Sequence, residues 1–116
     1  MHWDGTTWSQ VTSPSPASDN YLSGVTARTA ADAWAVGYDG SGTTAYDTLI
    51  LHWDGTSWSH VSGPSTTPVF NFLFQVSADS AKDAWAVGYY CVNYCENEEI
   101  DHSLTLRWNG TTWSTN

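Results

Sequence analysis

Positive charge is what this sequence lacks most: three Lys and Arg stand against twelve Asp and Glu, for a formal net charge of −9 at pH 7. Phosphate backbones are held by clustered basic side chains, so nucleic acid is not an expected partner. Long apolar runs are absent as well, none approaching the roughly 20 residues needed for a bilayer-crossing helix, and no charged-then-apolar N-terminus reads as a signal peptide. Helical periodicity is missing along the whole chain. Cysteine is limited to Cys91 and Cys95, and methionine to one residue. The space is filled instead by eight Trp and six Tyr, set among Thr, Ser and Gly in 116 residues. That length suits one modest domain with a real core and much wet surface.

The tryptophans are organised by repetition, which has to be read before any single motif. HWDGTTWS at residues 2–9 returns as HWDGTSWS at 52–59 and as RWNGTTWS at 107–114. DAWAVGY occupies residues 32–38 and again 83–89, with Val25-Thr26-Ala27 and Val76-Ser77-Ala78 ahead of the two copies. TLILHW at 48–53 and LTLRW at 104–108 follow them. One unit therefore reads as four strands, A to D: a short strand, the DAWAVG strand, an apolar strand, an Asp-Gly or Asn-Gly turn, and a WS strand.

Side-chain parity supports strands throughout. Asp-Gly between alternating segments is a strong hairpin signal, and a two-residue turn sets Trp53 opposite Thr56 and Leu51 opposite Trp58. Leu49, Leu51, Trp53 and Trp58 then project from one side of the hairpin. In DAWAVG, Trp34 and Val36 share one face while Ala33, Ala35 and Gly37 take the other, the pattern of a strand buried on both sides. Strands are expected near residues 24–27, 33–38, 48–53, 56–61, 75–78, 84–89, 104–108 and 111–115. All eight tryptophans, Trp3 and Trp8 included, are expected in the core or in packing between repeat units.

A repeated four-stranded unit of this length with buried aromatics resembles bacterial β-propeller repeats of the kelch and Asp-box kind. The chain lacks the kelch Gly-Gly pair, and Asp54-Gly55 are adjacent where the Asp-box separates its Asp and Gly. The resemblance implies an all-β chain of about two and a half blades: residues 1–22 as the C–D hairpin of a preceding blade plus a loop, 23–61 as the first complete blade, and 62–116 as a linker loop and the second. Either further blades or further copies of the chain would then complete a ring of about four to eight blades.

The function-bearing positions are expected where the repeats diverge. In an up-and-down blade the D–A and B–C connections share one end. Those connections hold the non-repeated length, 12–22, 39–47, 62–74 and 90–102, so Tyr21, Asp39, Tyr46, Phe70, Phe72, Tyr90 and Tyr94 form the candidate binding set. Cys91 and Cys95 are expected to form a disulfide stapling the second B–C loop, as a nearby even pair does in a secreted chain; the alternative is a metal site that adds His102. Glu96, Glu98, Glu99 and Asp101 are the calcium candidates, against the reading of a solvated acidic loop. No other cofactor is expected.

Catalysis finds no footing in the residues: no nucleophile pairs with a base, and only Arg28 and Arg107, in or beside framework strands, are available to hold a substrate carboxylate. The expected function is a non-enzymatic, extracellular module, secreted or at the cell surface, that binds a glycan or a protein through the D–A and B–C end. A self-assembling repeat protein and a fragment of a glycan-active propeller enzyme are the alternatives.

Overall fold

The computed structural model describes residues 1–41, 45–65, 69–92, 95 and 101–116. All regular structure among them is β. The strands are β1 (His2–Trp3), β2 (Trp8–Ser9), β3 (Asp19–Thr29), β4 (Asp32–Gly40), β5 (Tyr46–Trp53), β6 (Trp58–His60), β7 (Val69–Ser80), β8 (Asp83–Val92), β9 (Asp101–Trp108) and β10 (Trp113–Thr115). β1 and β2 form a separate hairpin. β3–β4–β5–β6 and β7–β8–β9–β10 are consecutive antiparallel meanders. A single parallel bridge, Tyr46 to Phe70, joins them, and the strand order does not close on itself.

The Trp-Asp-Gly-Thr motif builds a turn other than the expected one. Trp53 pairs with Trp58 and Leu51 with His60, so the loop holds four residues, 54–57, and not two. The Asp54 carboxylate accepts the backbone N–H groups of Thr56 at 2.8 Å and Ser57 at 2.9 Å, closing an Asx turn. Asp4 and Asn109 do the same for residues 6 and 7 and for residues 111 and 112. Only the glycine takes a left-handed backbone, with φ of +99°, +98° and +96° at Gly5, Gly55 and Gly110. Five-residue spacing therefore makes the indoles direct cross-strand partners. Their rings lie 5.7 Å apart at Trp53–Trp58 and 5.9 Å apart at Trp108–Trp113. At the other end of the unit, the Trp53 indole donates to the Ala30 carbonyl and that of Trp108 to the Ala81 carbonyl, tying the third strand to the turn between the first two.

The glycine that ends DAWAVG is set by a bulge. β3 carries an irregularity between Leu22 and Gly24, β7 one between Leu73 and Gln75. A Cβ on Gly37 would overlap the Tyr21 carbonyl oxygen, and one on Gly88 that of Phe72.

Alternation along β4 is as the sequence predicts, and both of its faces are covered. Trp34, Val36 and Ile50 turn toward the second meander and pack with Leu73, Val76, Ala84, Ala86, Leu104, Leu106 and Trp113 in the main core. Trp34 enters the cleft between Trp108 (5.0 Å) and Trp113 (5.2 Å, edge-on), with the tilted His52 ring behind it at 4.4 Å. Ala35, Leu49 and Leu51 form a second cluster on the opposite face. At the rim, buried Asp32 accepts from Arg28 at 2.7 Å and pairs with His52 Nε2 at 2.8 Å. Asp83 and Arg107 repeat half of that arrangement at 3.1 Å.

Two expectations fail here. Trp3 and Trp8 are exposed, because among the described residues no inner strand pair lies beside β1–β2 to cover them. Trp85, the repeat counterpart of Trp34, is half-buried under the Arg107 guanidinium, 5.2 Å from its ring, since among the described residues no third meander covers that face. The first strand of each unit is also longer than expected. It begins at Asp19 and Val69, so Tyr21, Phe70 and Phe72 belong to strands and not to loops.

Candidate functional site

Five strand ends converge where β3 and β7 begin, β4 and β8 end, and β5 begins. From there β7 crosses the first meander strand by strand. Phe70 faces Tyr46 on β5, Phe72 meets Tyr38 on β4, and the Phe74 carbonyl lies against Gly24 on β3. Asn71 fastens the crossing by donating from its side-chain amide to the Tyr46 carbonyl at 3.2 Å. The connector ahead of β3 is held down where Ser18 bonds the Gly40 carbonyl and the Asn20 amide bonds Ala17.

This crossing gathers seven rings into one continuous surface. Tyr21 stacks on Tyr38 at 4.8 Å, and Tyr38 meets Tyr46 at 5.4 Å and Phe72 at 4.8 Å, both edge-on. Tyr46 touches Phe70 and Phe72; Tyr89 touches Phe72 at 5.0 Å and Phe74 at 5.5 Å. Tyr21 and Phe74 are the exposed rings and the others are half-buried. Partial burial, with Tyr21 and Asp19 nearby, raises the Tyr46 phenol above its ordinary value; partial burial and Asp101 raise that of Tyr89. Both hydroxyls stay protonated at neutral pH and remain hydrogen-bond donors.

Of the residues expected from sequence, Tyr21, Tyr46, Phe70 and Phe72 are thus brought together. Tyr90 is not in the cluster: its ring stacks on His102 at 4.9 Å and packs against the main core. Asp39 lies on the face of β4 opposite Tyr38, buried between Asn20 and Asp47 on the flanking strands. Burial, and then the Asp47 charge, push its carboxyl above the usual range. Tyr94, Glu96, Glu98 and Glu99 lie outside the described residues, and Asp101 stands exposed at the start of β9 opposite Cys91. The disulfide forms as expected between buried Cys91 and half-buried Cys95, with Cα atoms 5.4 Å apart. That bond takes both thiols out of the alternative metal set.

Tyr38, Tyr89 and Phe74 were missed by sequence reasoning. Tyr38 and Tyr89 close the repeated DAWAVGY motif and so read as framework; their position next to divergent aromatics was the available signal. Among the described residues no helix is long and apolar enough to cross a membrane. Comparison of the chain with protein-family models, with curated proteins and with solved structures finds no match, so the resemblance to propeller repeats rests on the sequence motifs.

Proposed function

We propose that the chain is a non-enzymatic, extracellular β-propeller module that recognises a glycan through the aromatic surface at the D–A and B–C end. The observation that carries this reading is the ring-to-ring continuity of Tyr21, Tyr38, Tyr46, Phe72, Phe74 and Tyr89, with phenols kept neutral at its edge. Sugar rings present C–H faces to aromatic planes and hydroxyls to polar edges, and this surface offers both. In the propeller reading the two meanders are consecutive blades and β1–β2 is the outer hairpin of another. Their face-to-face packing and the insertion of Trp34 between Trp108 and Trp113 favour that reading. An extracellular location is supported by the Cys91–Cys95 bond, which persists in oxidising compartments.

The test is a glycan array probed with the intact chain, Tyr21→Ala and Phe74→Ala. Both substitutions remove exposed rings and leave strand pairing in place, so each should weaken binding about tenfold, equivalent to one lost stacking contact. Binding unchanged in both variants refutes this use of the surface. A ligand that proves to be a polypeptide, lost with the same two rings, would assign the surface to protein recognition instead.

A further inference from the structure

The repeat allows the apolar residues that the second meander brings to the internal interface to be matched to residues on the opposite face of the first. The second meander receives the first with Leu73, Val76, Ala84, Ala86, Leu104 and Leu106, all buried. Their counterparts in the first meander are Leu22, Val25, Ala33, Ala35, Leu49 and Leu51. Of these, Ala33, Ala35, Leu49 and Leu51 are already buried within the first meander, but Leu22 is 50% and Val25 67% exposed, whereas Leu73 is 0% and Val76 4% exposed. The donating side repeats at Trp34 and Val36, while Ile50 is matched by Thr105. Val36 is fully buried, while its counterpart Val87 on the far face of the second meander is 46% exposed, next to half-buried Trp85. The chain therefore displays a partly open receptor at one end and, in Trp85 and Val87, a spare copy of part of the matching insert at the other.

The receptor is an open groove of about 560 Å³ on the face of the first meander away from the core, lined by Leu22, Val25, Ala33, Ala35, Leu51 and Trp58. Its outer rim is occupied by β1–β2, with His2 5.8 Å from Trp53. β1–β2 repeats the sequence of β5–β6 and sits at the rim beside Trp53, leaving Leu22 and Val25 on β3 open. The hairpin is slight: both strands have two residues, and all four residues are exposed.

We propose that this groove binds a second copy of the same chain, head to tail, the β8–β9 face of one copy entering the β3–β4–β5 face of the next and displacing its N-terminal hairpin. Trp85 then takes the place between Trp53 and Trp58 that Trp34 holds between Trp108 and Trp113. The contact is heterologous, so each added copy leaves a free receptor and a free insert, and growth ends only in a ring. β1–β2 acts as a placeholder that competes with the incoming copy. Because each copy carries a net charge of −9 and the contact is apolar, added salt strengthens association by screening repulsion.

Sedimentation velocity across a concentration series tests this, using the intact chain, Gly5→Pro, Val25→Glu and Val87→Glu. Gly5 holds the hairpin turn at φ +99° with nothing within 4 Å of a Cβ there, so proline opens the hairpin and disturbs no packing. Gly5→Pro should associate about tenfold more tightly than the intact chain, the equivalent of removing a weak competitor. Val25→Glu and Val87→Glu, one in each face, should each be monomeric alone. Mixed in equal amounts they should form a dimer and nothing larger, because one retains a working insert and the other a working receptor; the mixture is also their folding control. The proposal is overturned if the intact chain and Gly5→Pro both remain monomeric, if either glutamate variant associates like its parent, if the mixture stays monomeric, or if salt dissolves the assembly. Tyr21→Ala and Phe74→Ala lie outside these faces, so loss of assembly and loss of glycan binding are separable.

Discussion

Trp34→Ala and Trp85→Ala change the same repeat position and should differ widely in cost. Trp34 is 3% exposed and makes three ring contacts, with Trp108, Trp113 and His52. Deleting a core tryptophan costs about 3–5 kcal/mol, and aromatic pairs worth about 0.5–1.5 kcal/mol each place this one at the upper end, near 5. A domain of this size holds about 5–15 kcal/mol in all, so Trp34→Ala removes a third or more of it. Trp85 is half-buried and keeps one cation–π contact, with Arg107. Its loss should cost about 1–2 kcal/mol from partial burial and that contact together. Urea denaturation followed by far-UV circular dichroism, at a protein concentration where the chain is monomeric, measures both. Equal costs, or a larger one at Trp85, would refute the assignment of Trp34 to an internal interface and Trp85 to an outer face.

Three further outcomes follow from the hydrogen bonds and carboxylates. The buried Trp113 indole N–H has no acceptor among the described residues, whereas that of Trp108 bonds Ala81; Trp108→Phe should therefore cost about 1 kcal/mol more than Trp113→Phe in the same denaturation assay. Burial works to raise the Asp32 carboxyl, but hydrogen bonds from His52 and Arg28 outweigh it and hold the group below its ordinary 3.8. Its contribution is present above that value and lost as pH falls through the lowered one, so Asp32→Asn should flatten the acid limb of the stability curve. Asp39 has the opposite sign: its raised carboxyl weakens the fold as pH rises through the raised value. Asp39→Asn should accordingly increase Tm at neutral pH and lose that advantage in acid, as read by thermal melts at both ends.

Much of this architecture is legible in residue types. The split of DAWAVG into a Trp34–Val36 face and an Ala33–Ala35 face follows from period two, and the meander pairings confirm it. The turn register is harder to read, because Asp54 supplies by side chain what a tighter turn would supply by backbone, lengthening the loop to four residues while leaving both indoles on one side. Alternation past the first apolar triplet, in Tyr21-Leu22 and in Phe70 to Phe74, was the available signal for the long first strands. The same parity places Asp39 with Ala35 and Gly37, away from Tyr38. Exposure of Trp3, Trp8 and Val87 is invisible to any local rule, since each depends on whether a neighbouring sheet lies above it.

The order in which the chain is made gives the split core a temporal side. Among the described residues every strand pairing but Tyr46–Phe70 joins strands consecutive in sequence, so the first meander can form while the rest is still being synthesised. During that interval the nascent chain displays Trp34, Val36 and Ile50 with nothing to bury them, and it does so until β7 to β10 have emerged. A chain halted with β3 to β6 emerged and β7 to β10 still inside the ribosome would hold out an apolar sheet face that the finished molecule hides, open to chaperones and to other nascent chains alike.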